Sequence, residues 1–353
     1  MIDEIPTAIG ALTDALIHTN TLVEIDLSDN AFGPRCAPSL VPFLTQNTHF
    51  SVLKLSNNGL GPEGSVIIAE ALEAGAKNAR RHVTTAMGAR FMGSTNPLDN
   101  APLPLPVISP GIFKSNLRVF HCGRNRLQKE SMAAWGRTFA AHGGLQEVRL
   151  YQNGIFEPGF PALIAGLASN PDLRYLDLQD NTVSEQGSAA IARALPSWPE
   201  LRTLNLSECY LTSRGASTIF HTLNKGSSPK LTGLQLQFSE IDEKAFVVLA
   251  RAILEHLPQL TSLSINGNIA NPEGKAIREI MDALDEHGHG DALDELDEME
   301  EPEEAEEKEE EIERRADEVG EEDEEGLREK LKKGARDPSV DDLANMLGKA
   351  SLS

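Results

Sequence analysis

The stretch LKLSNNGLGPEG, residues 53–64, decides the fold because it fits two different local structures. Gly59, Gly61 and Gly64 spell G-x-G-x-x-G, the form of a dinucleotide-binding turn between a strand and a helix. The same stretch also fits one unit of a longer repeat, in which the adjacent Asn57 and Asn58 need separate explanations. The rest of the chain distinguishes the two interpretations.

A pattern of the form L-x-x-L-x-L-x-x-N-x-L recurs along the chain. It fits closely at 22–32, 50–60, 117–127, 145–155 and 173–183, and in weaker form at 201–211, 231–241 and 260–270. Intervals of 28 residues separate Asn30 from Asn58, Asn125 from Asn153, and Asn153 from Asn181, whereas Asn58 and Asn125 are 67 residues apart. Amphipathic, helix-like runs lie between the patterns. The sequence therefore predicts an α/β leucine-rich repeat solenoid with one insertion.

This repeat accounts for the glycines of residues 53–64 without a nucleotide. Gly59 occupies a variable position, and Gly61 and Pro62 begin a turn that Gly33 and Pro34 make one repeat earlier. No nucleophile elbow, Ser/His/Asp set or oriented pair of carboxylates is recognisable. We therefore expect neither nucleotide binding by this loop nor enzyme activity of the chain's own.

The outward positions of the strands are mostly polar. Side chains alternate along a strand, so the leucine positions point into the core and the others line a face that we expect to be concave. The ladder asparagines are predicted to bond backbone groups of neighbouring repeats; they are Asn30, Asn58, Asn125, Asn153 and Asn181. The predicted partner-binding residues are Asp29, Lys54, Ser56, Arg124, Gln152, Asp180 and Glu208. This surface indicates protein recognition, although a solvated sheet face would have a similar composition.

Composition divides the chain into segments. The solenoid is predicted over 1–290, with 77–113 as a surface loop, either a tolerated insertion or a basic flap for a partner. Residues 291–335 are predicted to be a disordered acidic tail, either a solvated extension or a means of steering basic partners. Within it, 291–325 hold 22 acidic and three basic residues, hence −19 of the net charge of −22. Residues 336–353 form a C-terminal segment in which a short helix is one option.

Several classes of protein are disfavoured. The acidic charge argues against nucleic-acid binding, and no apolar run reaches the roughly 18 residues of a membrane span. Cys36, Cys122 and Cys209 are widely spaced and suggest neither a disulfide framework nor a metal pair, which favours a reducing compartment. His287 and His289 lie among glycines, and we expect no metal site.

Several blocks resemble, in order and spacing, the Ran GTPase-activating proteins, particularly those of fungal type. The blocks are LSDNAFGP (27–34), LSNNGLGPEG (55–64), CGRNRL (122–127), LDLQDNT (176–182) and the acidic stretch after DALDELDEMEE (291–301). The match begins at Asp3 and reaches the acidic tail. Such a series is more specific than the leucine pattern alone.

The resemblance implies a crescent of ribonuclease-inhibitor-type repeats that binds Ran in its GTP form and accelerates hydrolysis in trans. It implies that no arginine finger is inserted and that the activator stabilises Ran's own catalytic glutamine. The family's key asparagine falls on Asn57; since Asn58 holds the ladder position, Asn57 is expected to turn outward at the rim. GTP and Mg²⁺ would be bound by Ran.

The resemblance also sets expectations about the setting of the protein. It implies a cytoplasmic monomer that supports nucleocytoplasmic transport, with enrichment near the nuclear envelope as an option. A Ran-binding protein is an optional further partner. We expect no cofactor of the chain's own.

Two features depart from the family's pattern. The family has an important arginine just before the block DEIP, here residues 3–6, whereas this sequence starts at Met1, so we expect an N-terminal truncation that puts full activity in question. Ile2 stands where the fungal pattern has a lysine. The alternative function is a non-catalytic leucine-rich repeat scaffold that binds a protein without changing hydrolysis.

Overall fold

Short parallel strands alternating with helices form the folded part of the chain. The computed structural model describes residues 4–91 and 113–301, and the side chains of residues 4–84 and 113–301. The compact unit that contains the repeats ends at Glu300. The leucine-rich repeat solenoid predicted from the sequence is confirmed.

One parallel sheet of eight strands runs through the solenoid, in sequence order. The strands are β1 Glu24–Asp26, β2 Val52–Lys54, β3 Val119–His121, β4 Glu147–Arg149, β5 Tyr175–Asp177, β6 Thr203–Asn205, β7 Gly233–Gln235 and β8 Ser262–Ser264. The central residue of each strand is buried, as the period of two requires. The third residue is exposed at Asp26 but buried at Asp177 and Asn205, so the outer sheet face is more enclosed in these later repeats.

A helix precedes the first strand, and one follows each strand. The helices are α1 Glu4–Leu16, α2 Ala37–Gln46, α3 Gly61–Phe91, α4 Met132–His142, α5 Gly159–Leu167, α6 Ser184–Ala194, α7 Thr212–Leu223, α8 Glu243–His256 and α9 Lys275–Glu286. Short 3-10 helices cover Pro34–Cys36, Lys129–Ser131 and Leu195–Ser197. Each helix buries an apolar stripe, and one continuous core runs through all repeats. No helix within the described ranges is long and apolar enough to span a membrane.

A line of side-chain amides joins successive repeats. Oδ1 of Asn125 accepts the backbone N–H of Asn58 at 3.0 Å, and its Nδ2 donates to the carbonyl oxygen of Leu55 at 2.8 Å. Asn58, Asn153 and Asn181 each bond the preceding repeat in the same way. These bonds satisfy backbone groups that would otherwise be buried without partners.

The ladder continues with other residues in the weaker repeats. Sγ of Cys209 donates to the carbonyl oxygen of Leu178 at 3.2 Å, and Oγ of Ser239 donates to that of Leu206 at 3.1 Å. Asn268 restores the amide, because its Oδ1 accepts the N–H of Ser239 at 3.1 Å. The sequence analysis did not include Asn268 among the ladder residues.

Helix α3 extends well beyond its repeat. A loop was predicted from residue 77, yet α3 continues to Phe91, so 77–91 are helical. Nζ of Lys77 lies 2.5 Å from the Glu73 carboxylate, and Nδ2 of Asn78 donates to the carbonyl oxygen of Thr45 at 3.1 Å. Proline does not occur in 77–91, and the prolines that argued for a loop fall in 92–112, outside the described residues.

Residues 291–300 pack on the last repeat. The N–H of Leu263 in β8 donates to the carbonyl oxygen of Ala292 at 2.7 Å, and the N–H of Asp294 donates to that of Leu263 at 3.0 Å. This stretch covers the edge of β8, which would otherwise present unpaired backbone groups. The compact unit therefore ends ten residues later than the sequence predicted. The remainder of the predicted tail and the C-terminal segment, 302–353, lie outside the described residues.

The ladder gives a stability prediction. Asn125→Ala removes the partners of several buried backbone groups, and we expect it to lower the free energy of unfolding by about 2–4 kcal/mol. Asn30→Ala serves as the matched control, because Asn30 is exposed and bonds only carbonyl oxygens of its own repeat. We expect a loss of about 1 kcal/mol or less there, measured by urea unfolding. Equal losses at both positions would contradict the role of the ladder.

Candidate functional site

One residue in each repeat stands directly before the ladder position and has a left-handed backbone, with φ between 49° and 71°. In all repeats but the last, its N–H donates to a carbonyl oxygen of the next repeat, as that of Asn57 does to Gly123 at 2.9 Å. The following repeat thus holds the backbone of this residue, while the buried ladder side chain beside it is a separate group. We call these residues the rim row: Asp29, Asn57, Arg124, Gln152, Asp180, Glu208, Phe238 and Gly267.

The rim row brings together most of the residues that the sequence singled out. Asn57 belongs to it with five predicted partner-binding residues: Asp29, Arg124, Gln152, Asp180 and Glu208. All are exposed except Asp180, which is half-buried. From Asp29 to Glu208 the row therefore forms a polar edge at the carboxyl ends of the strands, and it ends with Phe238 and Gly267.

Two predicted partner-binding residues lie outside the row. Lys54 is in β2, where its Nζ is 2.5 Å from the Glu24 carboxylate and 3.9 Å from that of Asp26. Ser56 braces the neighbouring repeat, because its hydroxyl accepts the N–H of Gly123 at 3.2 Å. Both side chains are thus already engaged within the solenoid.

Asn57 and Asn58 have opposite environments. Asn58 is fully buried in the ladder, whereas Asn57 is exposed. Nδ2 of Asn57 donates to Oδ1 of Asp29 in the preceding repeat at 2.8 Å. In the described part of the chain, its own Oδ1 has no hydrogen-bond partner. Asp29 therefore orients the amide of Asn57 and leaves its oxygen directed away from this bond.

A second left-handed row follows the ladder position. Its members are Ala31, Gly59, Arg126, Gly154, Tyr210 and Glu240, with φ between 48° and 64°. Between the two rows near Asn57 lies an open cavity of about 570 Å³, to which Arg124, Arg126 and Gln152 also contribute. Two arginines therefore line the same cavity as Asn57. The sequence analysis missed Arg126, although CGRNRL places an arginine on each side of the ladder residue.

Further along the solenoid, different side chains line the space between the two rows. A second cavity, of about 290 Å³, is lined by Asp180, Glu208 and Arg126 together with the aromatic residues Phe156 and Tyr210. Tyr210 is 58% exposed and Phe156 is 40% exposed, while Nζ of Lys129 lies 4.9 Å from the centre of the Phe156 ring. This cavity has two carboxylates and two aromatic rings, whereas the cavity beside Asn57 has two arginines, and Arg126 contributes to both. The exposed aromatic residues were not predicted as site residues.

A charged cluster lies on the outer sheet face. Glu147 accepts from Nε2 of His121 at 2.7 Å and from Nε of Arg149 at 2.8 Å. The guanidinium of Arg149 stacks 4.4 Å from the centre of the Tyr175 ring. Burial lowers the pKa of His121 below its usual value, although the bond to Glu147 acts in the opposite direction. At neutral pH the imidazole is therefore mostly uncharged and donates to Glu147.

Backbone conformation and close packing explain why glycine occupies three positions in residues 53–64. Gly59 and Gly61 have φ of 64° and 63°, which favours glycine. A Cβ at Gly64 would lie 2.8 Å from Cα of Pro34.

Among the residues that the structure describes, no cluster of three or more His, Cys, Asp or Glu side chains could hold a metal ion. The imidazoles of His287 and His289 contact backbone carbonyl oxygens instead.

The left-handed conformation of the rim row can be tested at Arg124, which has φ of 57°. Arg124→Val places a β-branched side chain in this conformation, and we expect a loss of about 1–2 kcal/mol in the free energy of unfolding. Arg124→Gly removes the same charge without backbone strain, so stability should change by about 0.5 kcal/mol or less. Urea unfolding measures both variants. If Val and Gly had the same effect, the conformation would not be the cause.

The charged cluster predicts a pH effect. Glu147→Gln removes the negative charge that favours the imidazolium, so the pKa of His121 should fall further below its usual value. An NMR titration of the His121 ring protons measures the shift. Glu200→Gln, at a carboxylate paired with Lys230 instead, is the control and should leave the titration unchanged. An upward shift in the Glu147 variant would contradict the assigned contact.

Comparison with known proteins supports both the fold and the relationship. The family model described as "Leucine Rich repeat" matches residues 46–66 and 169–192. Ran GTPase-activating protein 1 of Saccharomyces cerevisiae is 32% identical over 291 residues, which cover 81% of this chain and 64% of that protein. The Ran GTPase-activating protein of Drosophila melanogaster is 42% identical over 277 residues, which cover 78% of this chain and 41% of that protein.

A third relative matches a shorter part of the chain. Ran GTPase-activating protein 1 of Xenopus laevis is 37% identical over 155 residues, 43% of this chain and 22% of that protein. The chain thus spans less than two thirds of the length of each of these relatives. Similarity at this level, across most of the described solenoid in two cases, is accompanied by the expected repeat architecture. The chain belongs to the Ran GTPase-activating protein family.

Proposed function

We propose that this chain binds Ran in its GTP form through the rim row and stimulates GTP hydrolysis in trans. The observation that carries the proposal is Asn57, which is exposed, held in a left-handed conformation and oriented by Asp29. It lies in the block LSNNGLGPEG, in a chain related to proteins named Ran GTPase-activating protein. The chain would have no enzyme activity alone, and GTP and Mg²⁺ would be carried by Ran.

The orientation of the Asn57 amide suggests how it acts. One N–H of Nδ2 is bonded to Asp29, so Oδ1 and the second N–H are available to a partner. Oδ1 would accept a side-chain N–H of Ran's catalytic glutamine, leaving the glutamine oxygen to orient the attacking water. Such a bond, strongest in the transition state, would contribute about 1–3 kcal/mol. Exclusion of water by the bound surfaces would contribute further.

The arginines of the site have a different proposed role. Arg124 and Arg126 line the same cavity as Asn57. We assign to them attraction of the negatively charged nucleotide side of Ran, rather than insertion as an arginine finger. Asp180 and Glu208 would contact basic groups of Ran at the other end of the row. Lys54 and Ser56, already engaged within the solenoid, would at most support these contacts.

The cellular setting follows from the same proposal. A Ran GTPase activator supports nucleocytoplasmic transport, and we place the chain in the cytoplasm as a monomer, with enrichment near the nuclear envelope and a Ran-binding protein as optional additions. The basic part of α3 and the acidic tail have no assigned role in hydrolysis.

The central test is a single-turnover assay of GTP hydrolysis by Ran with increasing amounts of this chain. Asn57→Gly removes the amide without strain, because glycine adopts positive φ freely. We expect the rate at saturating activator to fall by about 10- to 100-fold, since each tenfold corresponds to about 1.4 kcal/mol of barrier. Urea unfolding should show that the variant remains folded.

Glu208→Gly is the matched control, at the same backbone position of a later repeat. We expect it to raise the concentration needed for half-maximal stimulation by about two- to fivefold and to leave the saturating rate unchanged. A similar fall in the saturating rate for both variants would contradict a specific role of Asn57. If Ran·GTP bound the chain with no acceleration, the scaffold function would replace the proposal. An Arg124→Ala variant with a far larger loss than Asn57→Gly would favour an arginine-based mechanism.

A further inference from the structure

A groove on the helix side of the solenoid has no role in the proposed function. It lies between α8 and α9, near the end of α7, and encloses about 670 Å³. Its wall on α8 includes Val247, Val248, Arg251 and Leu254. These spacings of i, i+1, i+4 and i+7 place one stripe of α8 along the groove.

The wall on α8 is apolar and exposed. Val247 is 44% exposed and Leu254 is 49% exposed, although both lie in a helix whose other apolar residues are mostly buried in the core. Over a helix, this seven-residue separation corresponds to about 10 Å, or two turns. Aliphatic side chains two turns apart on one face of a helix are typical of a surface that contacts another helix.

The opposite wall is acidic. Glu279, Asp282 and Glu286 line the groove from α9 at i, i+3 and i+7, and Glu255 lines it from the end of α8. Arg251 is the cation facing them, and its Nε lies 3.6 Å from Glu255. The lining therefore has four carboxylates and one guanidinium group, an excess of negative charge next to apolar surface.

One polar group beside the groove is buried. Asn224, at the end of α7, also lines the groove, and its Oδ1 is buried. In the described part of the chain, this oxygen has no hydrogen-bond partner. Because this oxygen is buried, a helix bound in the groove would not reach it, and the binding surface consists of the apolar and acidic walls alone.

We infer that this groove binds an amphipathic helix of a partner protein, with aliphatic anchors about two turns apart and lysine or arginine residues on the flank facing α9. The anchors would cover Val247 and Leu254, and the basic residues would pair with Glu279, Asp282 and Glu286. The groove lies on the helix side of the solenoid, whereas the rim row lies at the carboxyl ends of the strands. A helix bound in the groove therefore does not need to contact the rim row. The inference is thus independent of the effect on GTP hydrolysis.

The test uses the full chain and a fluorescent synthetic helical peptide of about 16 residues, with leucines at i, i+4 and i+7 and lysines on one flank. Fluorescence anisotropy measures binding. We expect the double variant Glu279→Lys, Asp282→Lys to bind the peptide at least about tenfold more weakly. Leu254→Asp should weaken binding to a similar extent, because it places a charge in the apolar wall.

The matched control reverses two exposed carboxylates elsewhere, Glu70→Lys and Glu130→Lys, and so changes the net charge equally. Binding within about twofold of wild type in this control would support the groove. Equal losses in both double variants would overturn the inference, because general acidity would then explain the binding. No binding to the wild-type chain, or self-association abolished by Leu254→Asp in sedimentation, would also overturn it. Circular dichroism confirms that each variant is folded.

Discussion

The buried side-chain amide of the ladder asparagines that follow Asn30 is the interaction on which the rest of the structure depends. It accepts a backbone N–H from the preceding repeat and donates to a carbonyl oxygen there, so it joins neighbouring turns of the chain where no regular strand pairing remains. With this corner held, the preceding residue takes a left-handed conformation and bonds the following repeat. The rim row is therefore a geometric consequence of the ladder: side chains with no part in the core are displayed at fixed intervals.

The left-handed backbone changes how the individual residues are interpreted. Asparagine tolerates positive φ better than most residues, so Asn57 has a local reason for its identity besides any contact with a partner. Arg124, Gln152 and Glu208 have the same conformation without that tolerance. Because the same conformation occurs at this position in every repeat, the repeat corner imposes it whatever the side chain. The bond from Asp29 remains the observation particular to Asn57, since backbone preference alone does not require it.

Periodic features of the fold could be predicted from the sequence, and non-periodic ones could not. The repeat of 28 residues gives the strands, the ladder and the rim row, because every unit repeats the same local chemistry. The prediction ended helix α3 too early, because the loop indicated by the prolines after residue 96 was extended back to residue 77. Residues 291–300 were assigned to the tail because of their charge, although their backbone pairs with β8. Arg126 was missed because it follows the ladder position, whereas the prediction considered only positions that precede it.

The charges along the two left-handed rows constrain how a partner can lie on them. Arg124 and Arg126 line the cavity beside Asn57, whereas Asp180, Glu208 and Tyr210 line the next cavity along the row, to which Arg126 also contributes. A partner with negative charge near its reacting group and positive charge at a distance is attracted in one orientation and repelled in the reverse one. In the proposed function, the same polarity that promotes encounter would also select the orientation in which the Asn57 amide faces the reacting group. A single asparagine can act in this way only because the ladder fixes its distance from every other charge in the row.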